Sequence, residues 1–295
     1  MKKTIVFCAL LVGLLSLASC EKAVFDDQQP ERADGKVHVE FRVTQFEELP
    51  FAVVDSCTRS VVDISQVCSC INLALFSDGT KVKAVNQTAG DDGFGRINLD
   101  LAEGDYHVVV IAHSGTGSAT ITSPEEIKFP DNKVTDTFYY YAQLSVREDM
   151  TVDMLLKRAV AKFRLVTTDA VPSGIQQLKF YYTGGSSTFD AVKGFGCKES
   201  RQTEYRSITA DMVGKPAQFE VYTFPHAQED KLKMTVSVLD ASGDAVSERV
   251  FEDVPVKLNQ ITQYTGTFFQ ESNSTGAATF TLKVDDQWTQ QDYSF

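Results

Sequence analysis

The sequence predicts an all-β protein made of two tandem antiparallel β-sandwich domains. Three observations carry that expectation. Apolar and polar residues alternate along most of the chain from Lys36 onward, turn-forming residues separate the alternating runs, and no window holds a helical period. The 20 Phe and 10 Tyr among 295 residues agree with it, since aromatic side chains suit a pleated, half-buried surface.

Val37, Val39, Phe41 and Val43 alternate with His38, Glu40 and Arg42, the pattern of a half-buried strand. Ile71, Leu73 and Leu75 repeat it, and Ser77-Asp78-Gly79 supplies a turn. Residues 106–112 form a denser apolar run, as a central strand would. Shorter alternations follow at Phe163 and Leu165, Leu178 and Phe180, then Phe219 and Val221. Leu232, Met234, Val236 and Val238 make the cleanest run, and Asp240 to Asp244 turns the chain. Phe280, Leu282 and Val284 mark a last strand.

Residues 73–79 echo residues 236–243, and each stretch is followed by a valine (Val82, Val246). A leucine-to-tyrosine step comes later in both, Leu101 to Tyr106 and Leu258 to Tyr264. The echo suggests two copies of one plan. The boundary is set at Lys157, giving domains of residues 36–156 and 157–295.

Ahead of the strands, residues 1–19 read as a secretory signal. Lys2 and Lys3 form the positive leader, residues 4–17 the apolar core, and Leu17-Ala18-Ser19 lead to Cys20. The segment is too short for a permanent membrane span. Its Leu-Ala-Ser-Cys ending resembles a bacterial lipobox, in which the Cys20 thiol is acylated and becomes the first mature residue. Acyl chains add about 0.8 kcal/mol of membrane affinity per buried methylene. Residues 20–35 carry Asp26, Asp27, Glu31 and Asp34 and little apolar surface, which predicts a flexible tether.

The formal net charge of −12 becomes −14 once Lys2 and Lys3 leave with the signal. An acidic surface argues against nucleic acid and against docking on anionic lipid. Cys57, Cys68, Cys70 and Cys197 remain in a compartment that permits disulfides, and four cysteines allow three full pairings. Cys68 and Cys70, two apart at a strand start, are expected to face one side and not to bond each other. One bridge, from Cys197 to Cys68 or Cys70, is favoured over a metal site, because His38, His107, His113 and His226 are scattered.

Catalytic signatures are missing. There is no G-x-S-x-G elbow, P-loop or H-E-x-x-H, and Asp91-Asp92-Gly93 falls short of a calcium loop. His113 and Ser114, adjacent on a strand, would face opposite ways. The expectation is a non-enzymatic protein without a cofactor or metal.

Several stretches, in their order and spacing, resemble the FimB/Mfa2 family of Bacteroidetes fimbrial lipoproteins. They are residues 71–76 (INLALF), 101–106 (LAEGDY), 134–141 (VTDTFYYY), 156–163 (LKRAVAKF), 180–184 (FYYTG), 221–225 (VYTFP) and 285–288 (DDQW). The resemblance covers nearly the whole mature chain. It implies two transthyretin-like (Greek-key) sandwiches in a strand-exchange pilus, anchored in the outer membrane through Cys20 and joined to fimbrial shaft or accessory subunits. It also implies two candidate exchange strands, the one bearing Val37, Val39, Phe41 and Val43, and residues 278–284. Related stalk subunits are cut by an arginine- or lysine-specific protease after the first strand, and Arg59 would be the matching site here. Whether a host ligand is bound stays open. The competing expectation is a surface glycan-binding lipoprotein using Tyr139, Tyr140, Tyr141, Tyr181, Tyr182 and Trp288. That reading needs several coplanar, exposed aromatic rings on one face.

Overall fold

Alternating side chains along β1 (Lys36–Phe46) bury Val37, Val39, Phe41 and Val43 and leave Glu40 and Arg42 on the other face. The computed structural model describes residues 35–47, 63–270 and the backbone of 281–285. Among them the regular elements are strands, apart from the short 3-10 turns Ile64–Gln66 and Pro130–Asn132. The protein is all-β. The described residues from Lys36 onward belong to one compact unit.

After β1 come β2 (Cys70–Ser77), β3 (Thr80–Thr88), β4 (Arg96–Ala102), β5 (Gly104–His113), β6 (Thr120–Ser123) and β7 (Glu126–Lys128). β8 (Thr137–Val146) and β9 (Met150–Arg158) close the first half. Seven of these strands form one sheet in the order β3-β2-β5-β8-β9-β1-β4. Its two arms meet where β8 pairs with β9 through Phe138 opposite Arg158 and Tyr139 opposite Lys157. Inward rows of both arms share one core, with Phe41, Leu99 and Met154 from one and Leu73, Val110 and Phe138 from the other. The arms thus pack face to face in the manner of a sandwich.

The second half holds β10 (Ala161–Thr167), β11 (Ile175–Gly185), β12 (Thr188–Asp190), β13 (Phe195–Gly196), β14 (Ser200–Ser207) and β15 (Gln218–Thr223). β16 (Glu229–Asp240), β17 (Ala245–Lys257), β18 (Ile261–Gly266) and β19 (Thr281–Asp285) follow. Two four-stranded sheets, β15-β10-β18-β19 and β14-β11-β16-β17, enclose a core around Phe163, Phe180, Tyr182, Met234 and Phe251.

The two halves repeat one connectivity. β1 pairs antiparallel with β4 and parallel with β9, as β10 does with β15 and β18. The arm β3-β2-β5-β8 is matched by β14-β11-β16-β17, again antiparallel throughout. In this repeat β2 corresponds to β11 and β5 to β16. The echo between residues 73–79 and 236–243 therefore joins the wrong elements, since it sets the β2–β3 hairpin against β16–β17. Both hairpins close on Asp-rich turns with a glycine at positive φ (Gly79 at 73°, Gly243 at 83°), and turn chemistry alone produced the likeness.

Each half also carries an inserted hairpin. β6–β7 follows β5, and β12–β13 follows β11. The two insertions pair with each other through β7 and β12, making a sheet ordered β13-β12-β7-β6. This shared sheet covers the outer face of β2 and β5, where Phe76, Val109 and Ile111 meet Ile127, Phe189 and Phe224. β2 and β5 are thus buried on both faces, which explains their near-continuous apolar sequence. The ring of Phe224 sits 5.2 Å from Phe129 and 5.1 Å from Phe189, and each fully buried phenylalanine contributes about 1.5–3 kcal/mol. Gly196 makes the closure possible. A Cβ there would collide with Ser186 and lie 2.8 Å from the Phe224 carbonyl oxygen.

Candidate functional site

β1 occupies an interior slot. Its register runs antiparallel to β4 from Lys36 opposite Ala102 to Arg42 opposite Arg96. On the other side it runs parallel to β9, from Val39 opposite Met150 to Phe46 opposite Leu156, with a bulge between Val43 and Gln45. Val39 and Phe41 are fully buried, so the slot holds pockets for alternate side chains as well as two ladders of backbone bonds. Phe46 ends the row edge-on to Phe138 at 4.9 Å. The outward face is ionic. Arg42 Nε lies 2.9 Å from Glu40, and His38 Nδ1 lies 3.0 Å from Asp100.

Past Glu47, whose N–H donates to the Leu156 carbonyl at 2.7 Å, the chain enters residues 48–62, which include Arg59 and Cys57. Arg59, Cys20 with the signal and tether, and Trp288 all lie outside the described residues. Of the second candidate exchange strand, 281–284 fall within β19. That strand pairs antiparallel with β18 of its own chain, Thr281 opposite Thr265 and Asp285 opposite Ile261.

The structure corrects the cysteine expectations. Cys68, Cys70 and Cys197 are free thiols, so the bridge from Cys197 to Cys68 or Cys70 is not formed. Cys68 precedes β2 and its side chain enters the first core, whereas Cys70 lies on the opposite face and donates to the Gly115 carbonyl at 3.5 Å. The two do not share a side, because the strand parity starts only at Cys70. Cys197 follows β13 in the shared sheet, where its N–H bonds the Thr188 carbonyl at 3.0 Å. Burial pushes the Cys68 thiol up to about 12, and burial raises Cys197 as well, so neither is a ready nucleophile. His113, buried beside Cys70, accepts from the Gly115 N–H at 3.2 Å, and burial holds its imidazole down to about 4.

Among the described residues the aromatic side chains do not assemble a flat platform. Tyr139 and Tyr141 pack on the core beneath the shared sheet, Tyr140 packs on the first core, and Tyr182 is buried with its hydroxyl donating to the Tyr222 carbonyl at 2.8 Å. Tyr181, at 37% exposure, has Tyr205 as its exposed aromatic neighbour on the outer face of β11 and β14.

Sequence reasoning missed two features near these elements. Arg158 at the end of β9 is almost fully buried, yet it grips Asp136 through two bonds of 2.9 and 3.2 Å and Asn259 at 3.0 Å. Its contacts tie the first half to the β17–β18 turn. Asp169 is the second, and it clasps residues 268–270. A lone charged residue beside an apolar run leaves no period to detect.

Residues 38–294 match the model of a family described as a family of unknown function, DUF6562. The chain belongs to DUF6562. No curated protein sequence matches it. Among solved structures, this DUF6562 chain is similar to a candidate polysaccharide-binding protein (DUF1812) of Bacteroides thetaiotaomicron, at 10% identity and a TM-score of 0.52. That likeness covers 85% of this chain and 96% of the other. A candidate adhesin of Bacteroides ovatus follows at 12% identity and a TM-score of 0.50, covering 84% and 92%. The fimbrial anchor protein Mfa2 of Porphyromonas gingivalis aligns over 86% and 98% at 10% identity and a TM-score of 0.43. At these identities the likeness speaks for the all-β fold of DUF6562 and for nothing finer.

Proposed function

We propose that this protein is a non-enzymatic, lipid-anchored anchor or accessory subunit of a surface fimbria, joined to a partner subunit by β-strand complementation. In this reading residues 36–156 and 157–295 are two transthyretin-like sandwiches, and acylated Cys20 holds them at the outer membrane through the tether of residues 20–35. The observation that carries it is the place of β1. The strand nearest the lipid end is paired on both sides and fills buried pockets with Val39 and Phe41. Removing it would open a groove with two unpaired backbone edges, the kind of site a neighbour's strand completes. In an anchor the strand stays in place, and the docking edge belongs to another part of the molecule.

Intact mass of the protein from outer-membrane and sheared-fibre fractions tests this. A mass beginning at acylated Cys20, with fibres attached, is the expected result. A mass beginning at Ser60 in sheared fibres would instead mean cleavage after Arg59 and a stalk or tip subunit whose β1 is replaced by a neighbour. An acylated form that never accompanies fibres would end both readings.

A further inference from the structure

A polar cleft of about 410 Å³ opens where the first half, the β12–β13 turn and the β17–β18 turn come together. Its volume lies in the range of small-ligand sites, which favour such junctions. The walls are built with care. Asp190 shapes the β12–β13 turn, its carboxylate accepting the N–H groups of Val192 and Lys193 at 2.9 and 3.0 Å. That turn delivers Gly194, at φ +78°, against Tyr139, where a Cβ would collide with the tyrosyl oxygen. Asn259, also at positive φ, is fixed by its N–H bond to the Val160 carbonyl at 2.9 Å.

We propose that this cleft binds a carboxylate-bearing saccharide. Lys157 and Lys193 supply the cationic charge in a protein of net charge −12, and among the described residues Glu47 is the one carboxylate on the wall. Arg158 is also on the wall, but its charge is already met by Asp136, and Lys193, 77% exposed, is held only loosely at 3.4 Å from Asp190. Two exposed ammonium groups against one wall carboxylate suit a ligand with a single carboxylate, and a polyanion would be repelled by the protein as a whole. The amides of Gln228 and Asn259 and the Tyr139 hydroxyl suit sugar hydroxyls, and Phe195 offers an apolar face. An extended peptide fits poorly, because the walls contributed by the second half are turns and loops apart from Phe195 of the two-residue β13, whose Gly196 N–H is already taken by the Pro225 carbonyl. Lys157 and Lys193 stay in the chain whether or not β1 is exchanged, whereas Glu47 would leave with it.

The test is calorimetric titration of the full chain in detergent with galacturonate, which carries one carboxylate, with neutral galactose and with a short glutamate-rich peptide. The uronate should bind at least tenfold tighter than either comparator and should weaken with added salt. Lys157→Gln with Lys193→Gln should lower its affinity at least tenfold with an unchanged unfolding midpoint, since both side chains are exposed. Tyr181→Ala, on a remote face, should leave it unchanged. No uronate binding, equal binding of galactose or the peptide, or full affinity in the double variant would each overturn the proposal.

Discussion

The carboxylate of Asp169 accepts the N–H of Phe268 at 2.8 Å, across 99 residues of sequence. It accepts the N–H groups of Phe269 and Gln270 as well, at 2.6 and 2.8 Å. Arg249 grips the same stretch from the carbonyl side, donating to Phe268 and Gln270 at 3.0 Å each. The three N–H groups of residues 268–270 and the carbonyls of Phe268 and Gln270 are thus met by one acid and one base, just ahead of the segment that leads to β19.

Replacing the acid should loosen that clasp. Asp169→Ala strands buried N–H groups and should cost about 3 kcal/mol in a denaturant titration, bonds to charged acceptors being worth roughly 1.5–3 kcal/mol each but not additive. Hydrogen exchange should quicken at residues 268–270 and along β18. Asp169→Asn, which keeps one acceptor oxygen, should lose less. Equal stability of the alanine variant would show that Arg249 alone holds the segment.

The slot of β1 makes a separate demand. Phe41→Ala should destabilise the protein by about 3–5 kcal/mol, because its fully buried ring fills the first core. A chain lacking residues 36–46 should refold to a cooperative, native-like state only when a peptide of that sequence is supplied. The same peptide with Val39 and Phe41 changed to Asp should fail. Cooperative folding of the shortened chain alone would remove the strand-exchange reading.

Gly196→Ala should cost about 3 kcal/mol, the upper part of the range for overpacking, since the Phe224 carbonyl it would meet is backbone. Thermal unfolding checks this. A variant as stable as the parent would mean that the shared sheet can shift to admit a methyl group.

His113 predicts a pH dependence with a definite sign. Burial holds its folded pKa near 4, below the ordinary value of 6.5, so between these values the unfolded chain takes up a proton that the native one refuses. This contribution is complete above about pH 6.5 and is lost as the pH falls toward 4, by about 3 kcal/mol at most. His113→Gln should flatten that part of the stability profile relative to the parent. A parallel profile in the variant would place the titration elsewhere.

Strands with one wet face were legible because alternation is written directly into their sequence, as in β1 and β16. β5 read as an apolar run for the opposite reason, with both faces covered, whereas β2, read from Ile71, Leu73 and Leu75 as a half-buried alternation, is covered on both faces as well. The inserted hairpins escaped notice because strands such as Glu126–Lys128 and Thr188–Asp190 are too short to show a period. Their partners are also distant in sequence. The thiols were misjudged by applying strand parity one turn too early, at Cys68. The cleft was invisible for a related reason: Lys157, Gly194 and Asn259 belong to three separate turns or strand ends, and only the repeated topology brings them together.

The pairing of β7 with β12 carries a mechanical consequence. A two-stranded hairpin is marginal by itself, so neither insertion is a finished structure until the other arrives. Tension applied between Lys36 and Gly266 would have to shear this common sheet, with Phe189 and Phe224 beneath it, before the two halves could part. The halves should therefore yield together under load, as one long rip rather than two short ones.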